Sequence, residues 1–262
     1  MAAAHPAASG SAVDFVSAYA AAAAELVAAI PSCDMAARVP ACPGWSTYDL
    51  MVHIGNVHAW AATIVETGRE VPEQDDRPGS HRSKAVAQWY AGKAEDLFQV
   101  LRAARLEDPC WTFSAHHSTK AFWPRRQTHE TLVHLADLRQ ASRSTAALPT
   151  PLAADGVAEV LEVFLPRMHA RGRPAALGAP LLLSAADTQD TWLLTTPAAD
   201  GPPLVRRVEP GHLSHSGIDH LGAPAADLML LLWKRLSPDH PALTLDGDRD
   251  RILAFLRSPL TP

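Results

Sequence analysis

Apolar positions recur at helical spacing through the first two-thirds of the chain. Between Val13 and Ile30, Phe15, Val16, Tyr19, Leu26, Val27 and Ile30 flank an Ala-rich middle and predict a first helix. Pro40, Pro43 and Gly44 break the pattern. Ser46 followed three residues later by Asp49 then marks a helix start, an N-cap with an acid placed as in a capping box. The stripe Leu50, Ile54, Val57, Ala61, Ile64 runs from there until Gly68 and Pro72 close the second helix. Asp75 to Ser80 reads as a surface loop. A third helix is predicted from about Arg82 to Arg105, on Val86, Trp89, Tyr90, Lys93, Leu97, Val100 and Leu101. Glu107 to Phe122 carries few periodic signals. A fourth helix is predicted from Pro124, where a first-turn proline is tolerated, to Ser142. A fifth is expected from about Asp155 to His169.

The pattern then changes. Gly172 to Pro180 is rich in Gly and Pro and reads as a linker. Short β-like runs follow at 181–183, 192–194 and 204–205, with a turn at Asp200-Gly201-Pro202-Pro203. An apolar helix is expected at 225–236, and a last segment, 250–257, finishes the chain. The predicted class is α+β: a four-helix bundle over residues 1–171 and a smaller C-terminal α/β domain over 172–262.

Composition narrows the function classes. A net charge of −5 and the lack of a basic stripe argue against nucleic acid as a partner. No apolar run reaches the roughly 20 residues that span a bilayer, and the Ala-rich start lacks the basic n-region of a signal peptide. A cytoplasmic monomer is expected. The three cysteines, Cys33, Cys42 and Cys110, form no C-x-x-C pair and suggest no disulfide framework. Any metal here must lean on His and carboxylate.

Thirteen histidines have to be sorted by where they point. His53 follows Leu50 by three positions and precedes Val57 by four, so it shares their inward face. Alone, it reads first as a core imidazole bonded to a backbone carbonyl. Glu130 and His134 are one turn apart on one face of the fourth helix, close enough to share an ion or to form a simple i,i+4 hydrogen bond. His129 and His134 are five apart and point about 140° away from each other, so His129-Glu130 does not open an H-E-x-x-H protease motif. Two His and one Glu suit Zn²⁺ with an open coordination position, although the donor types leave Ni²⁺ and Fe²⁺ open. Asp137, three residues beyond His134, either orients that ligand or bonds a neighbouring element. His116 and His117 lie in a loop. His212, His215 and His220 fall in a Gly/Ser-rich stretch read as a flexible connection.

Two blocks of sequence carry a family resemblance. The first is Val39-Pro40-Ala41-Cys42-Pro43-Gly44-Trp45-Ser46 with Asp49-Leu50-Met51-Val52-His53-Ile54-Gly55. The second is Arg125-Arg126-Gln127-Thr128-His129-Glu130-Thr131-Leu132-Val133-His134-Leu135-Ala136-Asp137. With Asp155 to Val160 and Gly222 to Leu230, they make the chain similar to the mycothiol-dependent maleylpyruvate isomerase-like proteins, relatives of the DinB/YfiT helical-bundle metalloproteins. The resemblance implies a DinB-like four-helix bundle, zinc held by His53, Glu130 and His134, and a C-terminal domain that helps close the site. It implies a low-molecular-weight thiol such as mycothiol, bound to zinc as thiolate and adding to an electrophilic carbon for isomerisation or S-transfer. It names no catalytic residue. Arg206, Arg207 and Arg235 are candidates to bind a substrate carboxylate, and no motif selects among them.

Two other readings share the site. A hydrolase with zinc-bound water needs a free general base, for which Asp137 is the candidate by spacing. A non-catalytic metal-binding regulatory module needs no cavity large enough for a thiol.

Overall fold

The structure is a computed structural model that describes residues 13–145, 147–196, 201–209 and 217–262. Four long helices come first: α1 (Phe15–Ala29), α2 (Thr47–Thr67), α3 (Ser83–Ala103) and α4 (Phe122–Ala141). Their predicted ends hold to within a few residues, for local reasons. Asp14 caps α1 through Val16 N and Ser17 N. Ser46 and Asp49 form the reciprocal capping box of α2, and Gly68 ends it in a left-handed conformation with φ of 70°.

The fifth helix departs from expectation. It starts at Thr150 rather than near Asp155, with Pro151 in its first turn, where the missing N–H costs nothing. It runs as α5 (Thr150–Glu159), widens into a single π-type turn over Val160–Phe164, and continues as α6 (Leu165–Ala170). Pro166 sits just past that turn. It can donate no backbone bond, and its ring crowds the carbonyl one turn back, the usual cause of a disrupted helical ladder.

After 173–180 come β1 (Leu181–Ala185), β2 (Asp190–Thr195), β3 (Leu204–Arg207), β4 (Asp219–Ala223), α7 (Ala225–Leu232), β5 (Thr244–Asp246) and α8 (Arg249–Arg257). The sheet order is β3-β2-β1-β4-β5, with β1 and β4 parallel and the other neighbours antiparallel. The stretch around His220 is therefore a strand paired on both sides, not a flexible connection. Asp219, His220 and Gly222 hide it from a hydropathy reading, yet Leu221 and Ala223 are buried in the core. His212, His215 and Asp200 lie outside the described residues.

Two apolar cores result. One is formed by α1 to α4. The other joins α5, α6, the sheet, α7 and α8. The fourth helix serves both: Trp123, Leu135 and Leu138 enter the first, and Leu132, Val133 and Ala136 the second. Phe15–Ser32 is, by length and composition, apolar enough to cross a membrane, contrary to the sequence expectation, because its alanines count as apolar. In the fold those alanines admit close helix packing, and Tyr19, Leu26 and Ile30 are wholly buried.

Candidate metal centre

α4 is a polar helix in a buried place. Arg126, Gln127, Thr128, His129, Thr131, His134 and Asp137 are all buried in it. Buried polar groups must find partners, so a row of them between two cores marks a built site.

His53 of α2 and Glu130 and His134 of α4 converge. One ligand atom from each lies within 4.8 Å of the other two. His134 Nε2 is 3.2 Å and His53 Nε2 3.5 Å from Glu130 Oε1. The helical phase that put His53 on the inner face is right, though the side chain keeps 33% exposure because it faces a cavity. Its ring packs against Trp45 and, edge-on, against His134.

The surroundings fix these donors. His134 Nδ1 is 2.9 Å from Asp137 Oδ2, which directs Nδ1 to that carboxylate and turns Nε2 toward Glu130. Arg126 donates to Glu130 Oε2 at 2.6 Å and also to Glu159, leaving Glu130 Oε1 to face the histidines. Burial alone would raise the Glu130 carboxyl. The Arg126 guanidinium and hydrogen bonds from His134 and His53 reverse this and hold it well below the usual carboxylate range. Burial would lower His134, but its bonds to Asp137 and Glu130 win and raise it to about 9. Two imidazole nitrogens and one ionised carboxylate oxygen, with His134 oriented by Asp137 and Glu130 by Arg126, fit a divalent ion such as zinc, which would displace the His134 proton.

Asp137 takes both roles that spacing allowed. Besides His134, it accepts from Arg235 Nε at 3.0 Å and Nη2 at 2.9 Å, a bidentate pair that ties the chain beyond α7 to α4. His129 is turned away, with Nε2 2.7 Å from Asp155 of α5. Of the three candidate arginines, only Arg235 lines the cavity. Arg206 and Arg207 are exposed on β3, the latter paired with Asp190.

The cavity over the trio has a volume of about 490 Å³. Its walls include several groups that sequence reading did not single out: Trp60, Phe113, Phe164, Arg167 and Trp233. None stands in a pattern pointing at α4, and Phe113 comes from a connection without periodicity. Cys42 also lines it, with Sγ 3.8 Å from Asp137 Oδ2 and 3.5 Å from Arg235 Nη2. Burial, followed by the Asp137 charge, pushes the Cys42 thiol up to about 11, so it is a thiol at neutral pH.

Residues 16–139 match the mycothiol maleylpyruvate isomerase N-terminal domain family, and residues 151–254 the MDMPI C-terminal domain family. A solved mycothiol-dependent maleylpyruvate isomerase shares the fold at a TM-score of 0.60 and 13% identity, covering 89% of this chain and 92% of that one. A histidine-to-alanine mutant of a mycothiol-dependent maleylpyruvate isomerase aligns at a TM-score of 0.56 and 12% identity, covering 83% and 87%. No curated protein matches the sequence.

Proposed function

The chain belongs to the mycothiol maleylpyruvate isomerase family, and on that premise we propose that it is a zinc enzyme that uses a small thiol, mycothiol or a close relative, for isomerisation of a small electrophile or S-transfer to it. The observation that carries this reading is the convergence of His53, Glu130 and His134, one ligand atom from each within 4.8 Å of the other two, on a cavity lined from both halves of the chain. Zinc held there would supply a thiolate at neutral pH by lowering the pKa of a coordinated thiol.

The chain's own residues set the rest. Cys42 stands apart from the trio of ligand atoms and bonds instead to Asp137 and Arg235. Asp137 holds His134 in one tautomer and fixes Arg235 beside the site. Arg235, held by both oxygens of Asp137, forms the edge of the cavity. Trp45, Val57, Trp60, Phe164 and Trp233 give the cavity its apolar walls. Both oxygens of Asp137 are engaged, so it lacks the free base that the hydrolase reading requires. The cavity volume lies within the range of small-molecule sites and suits a thiol with a substrate better than a purely structural metal does.

The test is thiol dependence. Zinc-loaded protein is mixed with maleylpyruvate, with and without mycothiol, and cis–trans isomerisation is followed spectroscopically. Turnover only with the thiol is expected. Equal turnover without it, or none in zinc-loaded protein with it, contradicts the reading.

A further inference from the structure

The arginines around the cavity are not equivalent. Arg126 is neutralised by Glu130 and Glu159, and its guanidinium also lies over Phe164 and Trp233. Arg235 is neutralised by Asp137. Arg125, on the preceding position of α4, is neutralised by Asp155 and Glu162. Arg167 has no such partner: among the described residues its guanidinium makes no hydrogen bond or ion pair. Its Cζ lies over the Phe113 ring, 3.8 Å from the centroid. It lines both the cavity above the metal trio and the adjoining depression bounded by Trp60, Trp111 and Phe113. Glu73 lines both spaces and Glu70 the second, yet neither forms an ion pair with Arg167, and Arg171 and Arg126 add like charge beside it. Burial, then those two charges, lower its pKa to about 10, so it stays charged at neutral pH.

A half-desolvated cation with like-charged neighbours and no counterion is unfavourable unless something anionic joins it. We propose that Arg167, stacked on Phe113, is the anion anchor of this cavity and holds a carboxylate of the electrophilic substrate by a bidentate contact. The inference rests on the reading of the cavity as the substrate site and adds to it a specificity-determining residue. A planar guanidinium with one face on an aromatic ring leaves its edge free, the geometry that a carboxylate matches with two parallel hydrogen bonds. The anion belongs to the electrophile rather than to the thiol, so a neutral thiol gains nothing from Arg167.

The experiment measures binding, not turnover. Zinc-loaded wild type, Arg167→Gln and Arg167→Lys are titrated calorimetrically with maleate, with its neutral isostere maleamide, and with the neutral thiol 1-thioglycerol. Arg167→Gln is expected to weaken maleate by about tenfold or more, the worth of a charge-assisted contact. Arg167→Lys should recover part of that loss, because the charge returns without the planar guanidinium. Maleamide, thioglycerol, zinc content and melting temperature should be unchanged by either substitution. Equal maleate affinity in wild type and Arg167→Gln, as when the metal alone holds the anion, would overturn the proposal. So would equal losses for maleate and maleamide, or no maleate binding to wild type. Thiol-dependent isomerisation is read separately. Maleate bound through Arg167 in a protein without that activity would sink the thiol reading and leave the anion anchor standing.

Discussion

His53, Glu130 and His134 stand on uninterrupted turns of α2 and α4, whereas Phe164, Arg167, Trp233 and Arg235 reach the same cavity from a π turn, from the helix just beyond it, and from the end of α7. The first group is held by regular backbone, with His134 and Glu130 further fixed by Asp137 and Arg126. The second hangs on the C-terminal half, where the chain changes element every few residues. On the proposed function the contrast is a division of labour: the bundle holds the metal ligands, and the later elements shape what can approach them.

The largest effect should come from the donors themselves. His53→Ala and His134→Ala are expected to lower zinc affinity by more than the 10–100-fold typical of outer-shell partners, while far-ultraviolet circular dichroism stays helical. Unchanged zinc content in both variants would break the comparison at its base. Asp137→Asn comes next. It weakens the acceptor that orients His134 and loosens Arg235, so zinc affinity should fall about 10–100-fold by metal-competition titration.

A third prediction uses pH to probe the bundle beneath the trio. His58 is wholly buried, 3.1 Å from Tyr19 OH and 3.2 Å from Thr131 Oγ1. Burial, with smaller effects from nearby charged groups, lowers its pKa to about 3 from 6.5. The unfolded chain therefore binds the extra proton between those values. The stability that neutral His58 contributes is present above about pH 6.5 and is lost as pH falls toward 3. Chemical denaturation of wild type and His58→Gln should show a gap that narrows by about 2 kcal/mol from pH 8 to pH 5. A constant gap would mean that His58 is not held neutral.

The C-terminal core gives a fourth. A Cβ at Gly156 of α5 would fall 2.6 Å from Met229 Sδ of α7, and Met229 is wholly buried. Gly156→Ala should cost about 1–3 kcal/mol by overpacking and disturb the end of α7 that carries Trp233. The smallest effect concerns a surface cap. Ser46→Ala removes half of the α2 capping box and should cost about 1 kcal/mol, or about 2–4 °C in melting temperature, without altering metal binding.

The same contrast explains what the sequence disclosed. Helical phase is a local rule, so it placed Leu50, His53 and Val57 on one face and Glu130 with His134 on another, and it separated His129 from them. Capping residues are local too, which is why Ser46, Asp49 and Gly68 marked α2 correctly. Phase could not join α2 to α4, and the family resemblance supplied that join. Arg167 escaped because the π turn at Val160–Phe164 shifts the helical phase just before it. β4 escaped because a paired strand with Asp219, His220 and Gly222 has no alternation to read. Cys42 and Phe113 reach the wall from non-periodic loops, where spacing carries no direction.

The claim that most needs testing is that the trio holds a metal which meets a thiol. Cobalt(II)-substituted protein titrated with mycothiol tests it most directly. A sulfur-to-cobalt charge-transfer band that grows with thiol to one equivalent in wild type, and is lost in His134→Ala, is the predicted result. Thiol binding that leaves the cobalt spectrum unchanged, or an identical band in His134→Ala, would contradict the account.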